Sequence, residues 1–310
     1  MRRQRRQPCR ARVALAATII IVAVLGGASS AWGSELSPQV STNWAGYFAT
    51  TGPATHHFAK HFTSVSGTWV QPTATCTPGS PTYSAFWVGL GGYSETSSAL
   101  EQIGSEVDCS ASGQATNFAW YELVPSNSST IKRVLVSPGD VISATVSVHG
   151  TKVKLSLHDI TQGTHFSATK TMRSPNPDTS SAEWIAEAPS QCNQNNNCSA
   201  LPLTNFGTLS FYDATASSIG SKGKRTGTID NGAWSYGPIS LQASVAHFRF
   251  NQALTSSAAP GVLASSGNAF VVTYNASAPG GSTGPSGTSG PTGTTGTTGT
   301  SGGSGATGAT

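Results

Sequence analysis

"DVISATVSVHGTKVKLSLHDI", residues 140–160, decides what kind of fold this chain can adopt. Ile142, Ala144, Val146 and Val148 alternate with Ser143, Thr145 and Ser147; after His149-Gly150 the beat resumes with Val153, Leu155 and Leu157 against Lys154, Ser156 and His158. A period of two sends successive side chains to opposite faces of an extended strand, whereas a helix needs a period of about 3.6. The stretch therefore reads as a hairpin turning at His149-Gly150.

Working outward, the same texture recurs. "SVSGTWVQP" (64–72), "YSAFWVGLGGY" (83–93), "NFAWYELVP" (117–125), "ATKTMRS" (168–174), "SAEWIAEAP" (181–189), "LTNFGTLSFYDATA" (203–216) and "AFVVTYNAS" (269–277) are short runs rich in β-branched and aromatic residues, divided by Gly, Pro, Asn and Ser. No stretch of helical period runs for long. The expectation is an all-β fold, an antiparallel β-sandwich or jelly roll, in one domain over residues 41–275.

The flanks differ from this domain. Six arginines precede the apolar run Val13–Leu25, and small residues follow, which is the layout of a secretory signal peptide over residues 1–33. Residues 34–40 read as a short linker. From Gly281 ten triplets carry glycine at every third position, but only Pro285 and Pro291 supply proline, so the expectation for 276–310 is a disordered Thr-rich tail rather than a collagen stalk. The chain is expected to be secreted, with the tail as a possible surface tether.

Charge narrows the function. The precursor carries 17 Lys and Arg against 13 Asp and Glu; six of the basic residues and none of the acids lie in the signal, leaving 11 against 13, a balance of −2. No clustered basic face exists for nucleic acid, and none is expected as a partner. Nor is a membrane, once the signal is removed; a monomer is expected. Cys76, Cys109, Cys192 and Cys198 remain after Cys9 leaves, an even set that suits disulfides in an exported chain. Four cysteines allow three pairings; the short polar loop "CNQNNNC" favours Cys192–Cys198, leaving Cys76–Cys109. His57 and His61 in "HHFAKH" lack carboxylate or cysteine company, and neither a metal nor any other cofactor is expected.

No GxSxG, P-loop, HExxH or Rossmann glycine pattern occurs. What stands out is a set of carboxyl and amide groups in aromatic strands. In "SAEWIAE", Glu183, Ile185 and Glu187 share one face and Ala182, Trp184 and Ala186 the other. In "ALEQIGSE", Leu100, Gln102 and Gly104 share a face; in "AWYELVP", Trp120 and Glu122 do; in "FWVGLGG", Trp87, Gly89 and Gly91 do, and the small residues are expected to leave room against the sheet. A glutamate on a partly desolvated aromatic face has a raised pKa and is suited to general acid/base work.

"STNWAGY" (41–47), "FWVGLGG" (86–92), "ALEQIGSE" (99–106), "AWYELVP" (119–125), "SAEWIAE" (181–187) and "CNQNNNC" (192–198), in this order, resemble the glutamic peptidases of family G1, the eqolisins. The resemblance implies a sandwich of two large bent antiparallel sheets, related in shape to lectin-like jelly rolls, and an acid endopeptidase acting on protein or peptide substrates. It implies catalysis by Glu183 and Gln102, a cleft lined by Trp44, Trp87 and Trp120, and Glu122 and Glu187 as supporting or subsite groups. The alternative is a non-catalytic sandwich binding glycan or peptide on the same cleft. Two family acids are absent, because Gly91 stands where fungal members carry Asp in WVGIDG, and Phe118 where they carry Asp in DAWYEW.

Overall fold

The structure, a computed structural model, describes residues 33–51, 59–94, 96–192, 198–242 and 256–276. The expected signal peptide (but for Gly33), His57 and all but the first residue of the expected tail lie outside these residues. The 140–160 hairpin is formed by Val141–His149 and Lys152–Asp159, paired antiparallel from His149↔Lys152 to Ile142↔Asp159.

Two sheets of six principal strands make the sandwich. The first runs, in spatial order, Ala115–Val124, Leu100–Cys109, Thr82–Gly91, Ser181–Glu187, Trp44–Thr50 and Ser235–Gln242, all antiparallel. The second runs Phe270–Ala276, Thr208–Gly220, Ala59–Val70, Val141–His149, Lys152–Asp159 and Thr164–Thr171. Ser256–Pro260 pairs with the last strand of the first sheet and the first of the second, so the ladder is continuous around one edge. The segment 34–40, read as a linker, contributes Ser34–Glu35 and Gln39–Ser41, which pair parallel with Ser235–Gln242.

Alternation decides what lies between the layers. Tyr47, Phe86, Val88, Ile103 and Trp184 from the first sheet share one buried cluster with Phe62, Val65, Trp69, Val146 and Leu155 from the second. Burying that apolar surface is the main force holding the layers together. A smaller apolar cluster, Phe48, Ala85, Trp87, Leu100, Trp120, Ile185 and Ile239, lies on the opposite face of the first sheet. It forms the surroundings of Glu183.

Cys76 and Cys109 form a disulfide, Cα–Cα 5.3 Å, tying the segment after Ala59–Val70 to the end of Leu100–Cys109. The other expected pair, Cys192–Cys198, involves a side chain outside the described residues. Cys198 is disulfide-bonded, and the backbone sets Cys192 directly opposite it.

Candidate active site

Register turns five strands of the first sheet into rows of side chains on its outer face. Glu183 faces Phe48 on one side and Gly89 on the other; Gly89 faces Gln102, and Gln102 faces Glu122. Glu183 and Gln102 are thus two strands apart, roughly 10 Å between backbones, a span that two side chains leaning inward can share. The next row holds Gly46, Ile185, Trp87, Gly104 and Trp120; the one after holds Trp44, Glu187, Ala85, Glu106 and Phe118.

The gap above Gly89 is not open, contrary to the sequence expectation. A Cβ there would lie 2.8 Å from Cζ3 of Trp87 and 3.1 Å from Cδ1 of Leu100. The Trp87 indole lies along its own strand, donating from Nε1 to Glu187 Oε2 at 2.7 Å while its far edge covers Gly89. Trp87 is fully buried, packed edge-on against Trp44 at 5.1 Å, and is the floor of the site rather than an exposed wall. The space beside Gly91 is also filled: a Cβ there would lie 2.5 Å from Cβ of Asp178, and its φ of +83° favours glycine in any case. Asp178 brings a carboxylate to the place where residue 91 has none.

Glu183 is 0% exposed, and neither of its oxygens has a hydrogen-bond partner among the described residues. Burial pushes its pKa well above the usual carboxylate range; the nearby Ser181 hydroxyl opposes the rise, and the Asp178 and Glu101 charges add to it. Ser181 Oγ approaches without completing a hydrogen bond, so Glu183 remains unpartnered. Gln102, 4% exposed, donates from Nε2 to Glu122 Oε2 at 2.7 Å, leaving Oε1 unpaired. That bond fixes the amide's orientation, and the second N–H of the same nitrogen stays available. Glu122 is itself raised by burial, against the Gln102 hydrogen bond. Trp120, 5% exposed, has an unpaired Nε1.

Glu187 accepts from Trp87 Nε1 and from Asn43 Nδ2 at 2.9 Å; burial nevertheless pushes it up to about 7. Sequence reading missed Glu106 and Asp108, although the alternation of "EQIGSEVDC" continues from Gln102 through both. Burial and the charge and hydrogen bonding of Asp108 push Glu106 up to about 9, with Glu187 and Glu122 adding to the rise. It also missed Glu101, which faces the core, is pushed up to about 8 by burial, and accepts from the Asp178 amide at 3.3 Å. Asp178 is the exception. Burial works against its charge, yet the Ser97 hydroxyl and the Ser180 and Gly92 amides hold it below the usual range.

The arrangement sets a buried carboxyl and an amide on either side of one glycine, with unpaired atoms on both. Such unpaired groups are costly unless something occupies the site. The chain is similar in fold to solved glutamic peptidases. Scytalido-glutamic peptidase with a transition-state-analogue inhibitor aligns at 23% identity over 76% of this chain and 99% of that one, TM-score 0.53. SCP-B, an eqolisin-family peptidase in complex with the tripeptide Ala-Ile-His, aligns at 23% identity over the same shares, TM-score 0.50. No curated protein matches in sequence. The Peptidase A4 family matches residues 42–246, a span containing every strand of the rows described above, and the chain therefore belongs to that family, the G1 glutamic peptidases.

Proposed function

We propose that this glutamic peptidase is exported and cleaves protein substrates in acid, using Glu183 as general base and Gln102 as its amide partner. The observation that carries the reading is the fully buried Glu183 carboxyl, with both oxygens unpartnered, one glycine across the sheet from Gln102. The N-terminal sequence supports export.

In this reading a water enters between the two side chains and donates to Glu183. A hydrogen bond to the carboxylate favours its ionised form and opposes the rise in pKa that burial causes. Glu183 then takes a proton from the water as its oxygen bonds to the scissile carbonyl carbon. The free N–H of Gln102 Nε2 donates to the oxyanion that forms, a kind of stabilisation that is commonly the largest electrostatic contribution. Glu183 returns the proton to the amide nitrogen as the C–N bond breaks. A neutral amide suits this position, since a second carboxylate would oppose ionisation of the first.

The test is cleavage of a denatured protein at about pH 3–5 with pepstatin present, the range in which carboxyl general bases work. Wild type is expected to cleave, and Glu183→Gln and Gln102→Ala to be inactive with unchanged circular dichroism. Cleavage by folded Glu183→Gln at the wild-type rate overturns the assignment.

A further inference from the structure

The outer face of the second sheet carries chemistry that the peptidase reading leaves unused. The strands Lys152–Asp159 and Thr164–Thr171 set His158 directly opposite His165. Both side chains are exposed, on the face away from Leu155 and Leu157. Their ring centroids are 6.3 Å apart, with planes at 89°. Among the described residues neither imidazole has a hydrogen-bond or ion-pair partner, and the ring contact recorded for each is with the other.

Directly opposed residues in an antiparallel pair have Cβ atoms about 4.5–5.5 Å apart, close enough for both rings to reach one ion. With metal–nitrogen bonds of about 2.0–2.1 Å, each ring centroid sits roughly 3.2 Å from the metal, so two rings on one ion have centroids between about 4.5 and 6.4 Å apart. The observed separation falls at the upper end of that window, and a small side-chain rotation brings it to the middle. The rings open onto a shallow groove of ≈ 280 Å³ shared with Ser143, Thr145, Ser156 and Ser167. It has room for water, and its hydroxyls can hydrogen-bond that water.

The geometry points to a two-histidine site for a divalent transition-metal ion at His158 and His165, bridging the outermost strand of the second sheet to its neighbour. Two imidazoles without a carboxylate favour Cu²⁺, Ni²⁺ or Zn²⁺ over Mg²⁺ or Ca²⁺, which demand oxygen ligands. No group of three or more candidate side chains exists among the described residues, so the remaining coordination positions belong to water. The consequence is a staple. Among the described residues Thr164–Thr171 pairs with one strand only, and an ion held by both histidines adds a second tie to it. An ion that binds only the folded hairpin stabilises it in proportion to the logarithm of its concentration.

Calorimetric titration of the full chain with NiCl₂ at neutral pH tests this. One ion per chain is expected, with an affinity of tens of micromolar or tighter, and a melting temperature that rises with NiCl₂ but not with MgCl₂. His158→Ala and His165→Ala should each weaken binding at least tenfold while cleaving substrate at the wild-type rate. His61→Ala and His149→Ala should bind as wild type does. A melt without metal checks the fold of each variant, and His158→Gln replaces any that fails. Affinity weaker than millimolar in the wild type, loss in only one of the two variants, or unchanged binding in the double variant overturns the site. Failure here leaves the peptidase reading intact, since no residue is shared.

Discussion

The outer faces of the two sheets have the same strand geometry and treat polar groups in opposite ways. On the second sheet hydroxyls pair across strands: Ser66 with Thr215 at 2.8 Å, Thr68 with Ser143 at 3.3 Å, Ser156 with Ser167 at 3.2 Å and Ser217 with Thr226 at 2.7 Å. On the Glu183 sheet the polar groups are larger, more buried and often unpaired. Of the ten buried side-chain atoms without a partner among the described residues, eight belong to strands of that sheet, and all of these but Glu101 Oε2 lie on its outer face. An unsatisfied buried group costs about 1–3 kcal/mol. Concentrating that cost on one face is what a site does, whereas packing would spread or remove it.

Two adjacent residues give the sharpest way to break this comparison. Glu183 points outward and Trp184 points into the core, where its Nε1 donates to the Ser66 carbonyl at 2.8 Å. Glu183→Gln should lower kcat/KM by about 10²–10⁴-fold, the usual contribution of a general base, with the urea midpoint unchanged or raised. Trp184→Ala should cost about 3–5 kcal/mol of stability by leaving a cavity between the sheets. Urea unfolding and single-substrate kinetics on both variants decide whether activity and stability really divide between the two faces of one strand.

The same division predicts how stability responds to pH. Glu187, Glu101 and Glu106 have folded-state values of about 7, 8 and 9, all above the ordinary 4.5. The folded chain therefore keeps protons that the unfolded chain has already lost, and stability falls as pH rises wherever that holds. Their contribution is complete below about pH 4.5 and is lost progressively as pH climbs through the folded values. The urea midpoint should be higher at pH 4 than at pH 8, and Glu101→Gln should flatten the slope. A midpoint that rises with pH would show that Glu101, Glu106 and Glu187 are not held in their neutral forms.

Gly89 lies between Glu183 and Gln102, the proposed catalytic pair, and against the Trp87 ring. A methyl group there meets the Trp87 ring at 2.8 Å and the Glu101 carbonyl at 3.2 Å, so the ring must move. Overpacking of this kind costs about 1–3 kcal/mol, and a displacement of the order of 1 Å near reacting groups costs up to about 10² in rate. Gly89→Ala should lose activity by tens of fold while staying folded at 25 °C. Near-normal activity would mean that Trp87 does not set the spacing of Glu183 and Gln102.

Much of this was legible in the sequence because a period of two is a complete instruction for a strand. It separated Glu183 from Trp184, and Gln102 from Ile103, before any partner strand was known. Register was not legible: nothing local in "SAEWIAE" says that its neighbours are Trp44–Thr50 and Thr82–Gly91, contacts more than ninety residues away in sequence. Asp178 escaped for the same reason, since it fills the place beside Gly91 from a loop with no periodicity. Ser235–Gln242 escaped because Gly237 and Pro238 interrupt it. The structure accommodates them at a break, where Ser235–Tyr236 and Ile239–Leu241 pair with the N-terminal segment and residues 237–238 do not.

The smallest expected effect probes the quieter face. Ser156 and Ser167 hydrogen-bond across the hairpin at 3.2 Å, near solvent, where water replaces a lost partner readily. Ser156→Ala should therefore change stability by no more than about 0.5 kcal/mol and leave kcat/KM untouched. Ser181→Ala is its counterpart on the Glu183 sheet. The Ser181 hydroxyl is fully buried and unpaired, and its presence opposes the rise in the Glu183 pKa. Removing it relieves an unsatisfied group but leaves Glu183 harder to ionise. The urea midpoint should hold or rise, while the acidic limb of the pH–rate profile moves to higher pH. A hydroxyl that matters to chemistry on one sheet and to almost nothing on the other is the contrast reduced to a single oxygen atom. Identical pH–rate profiles for the two variants would erase it.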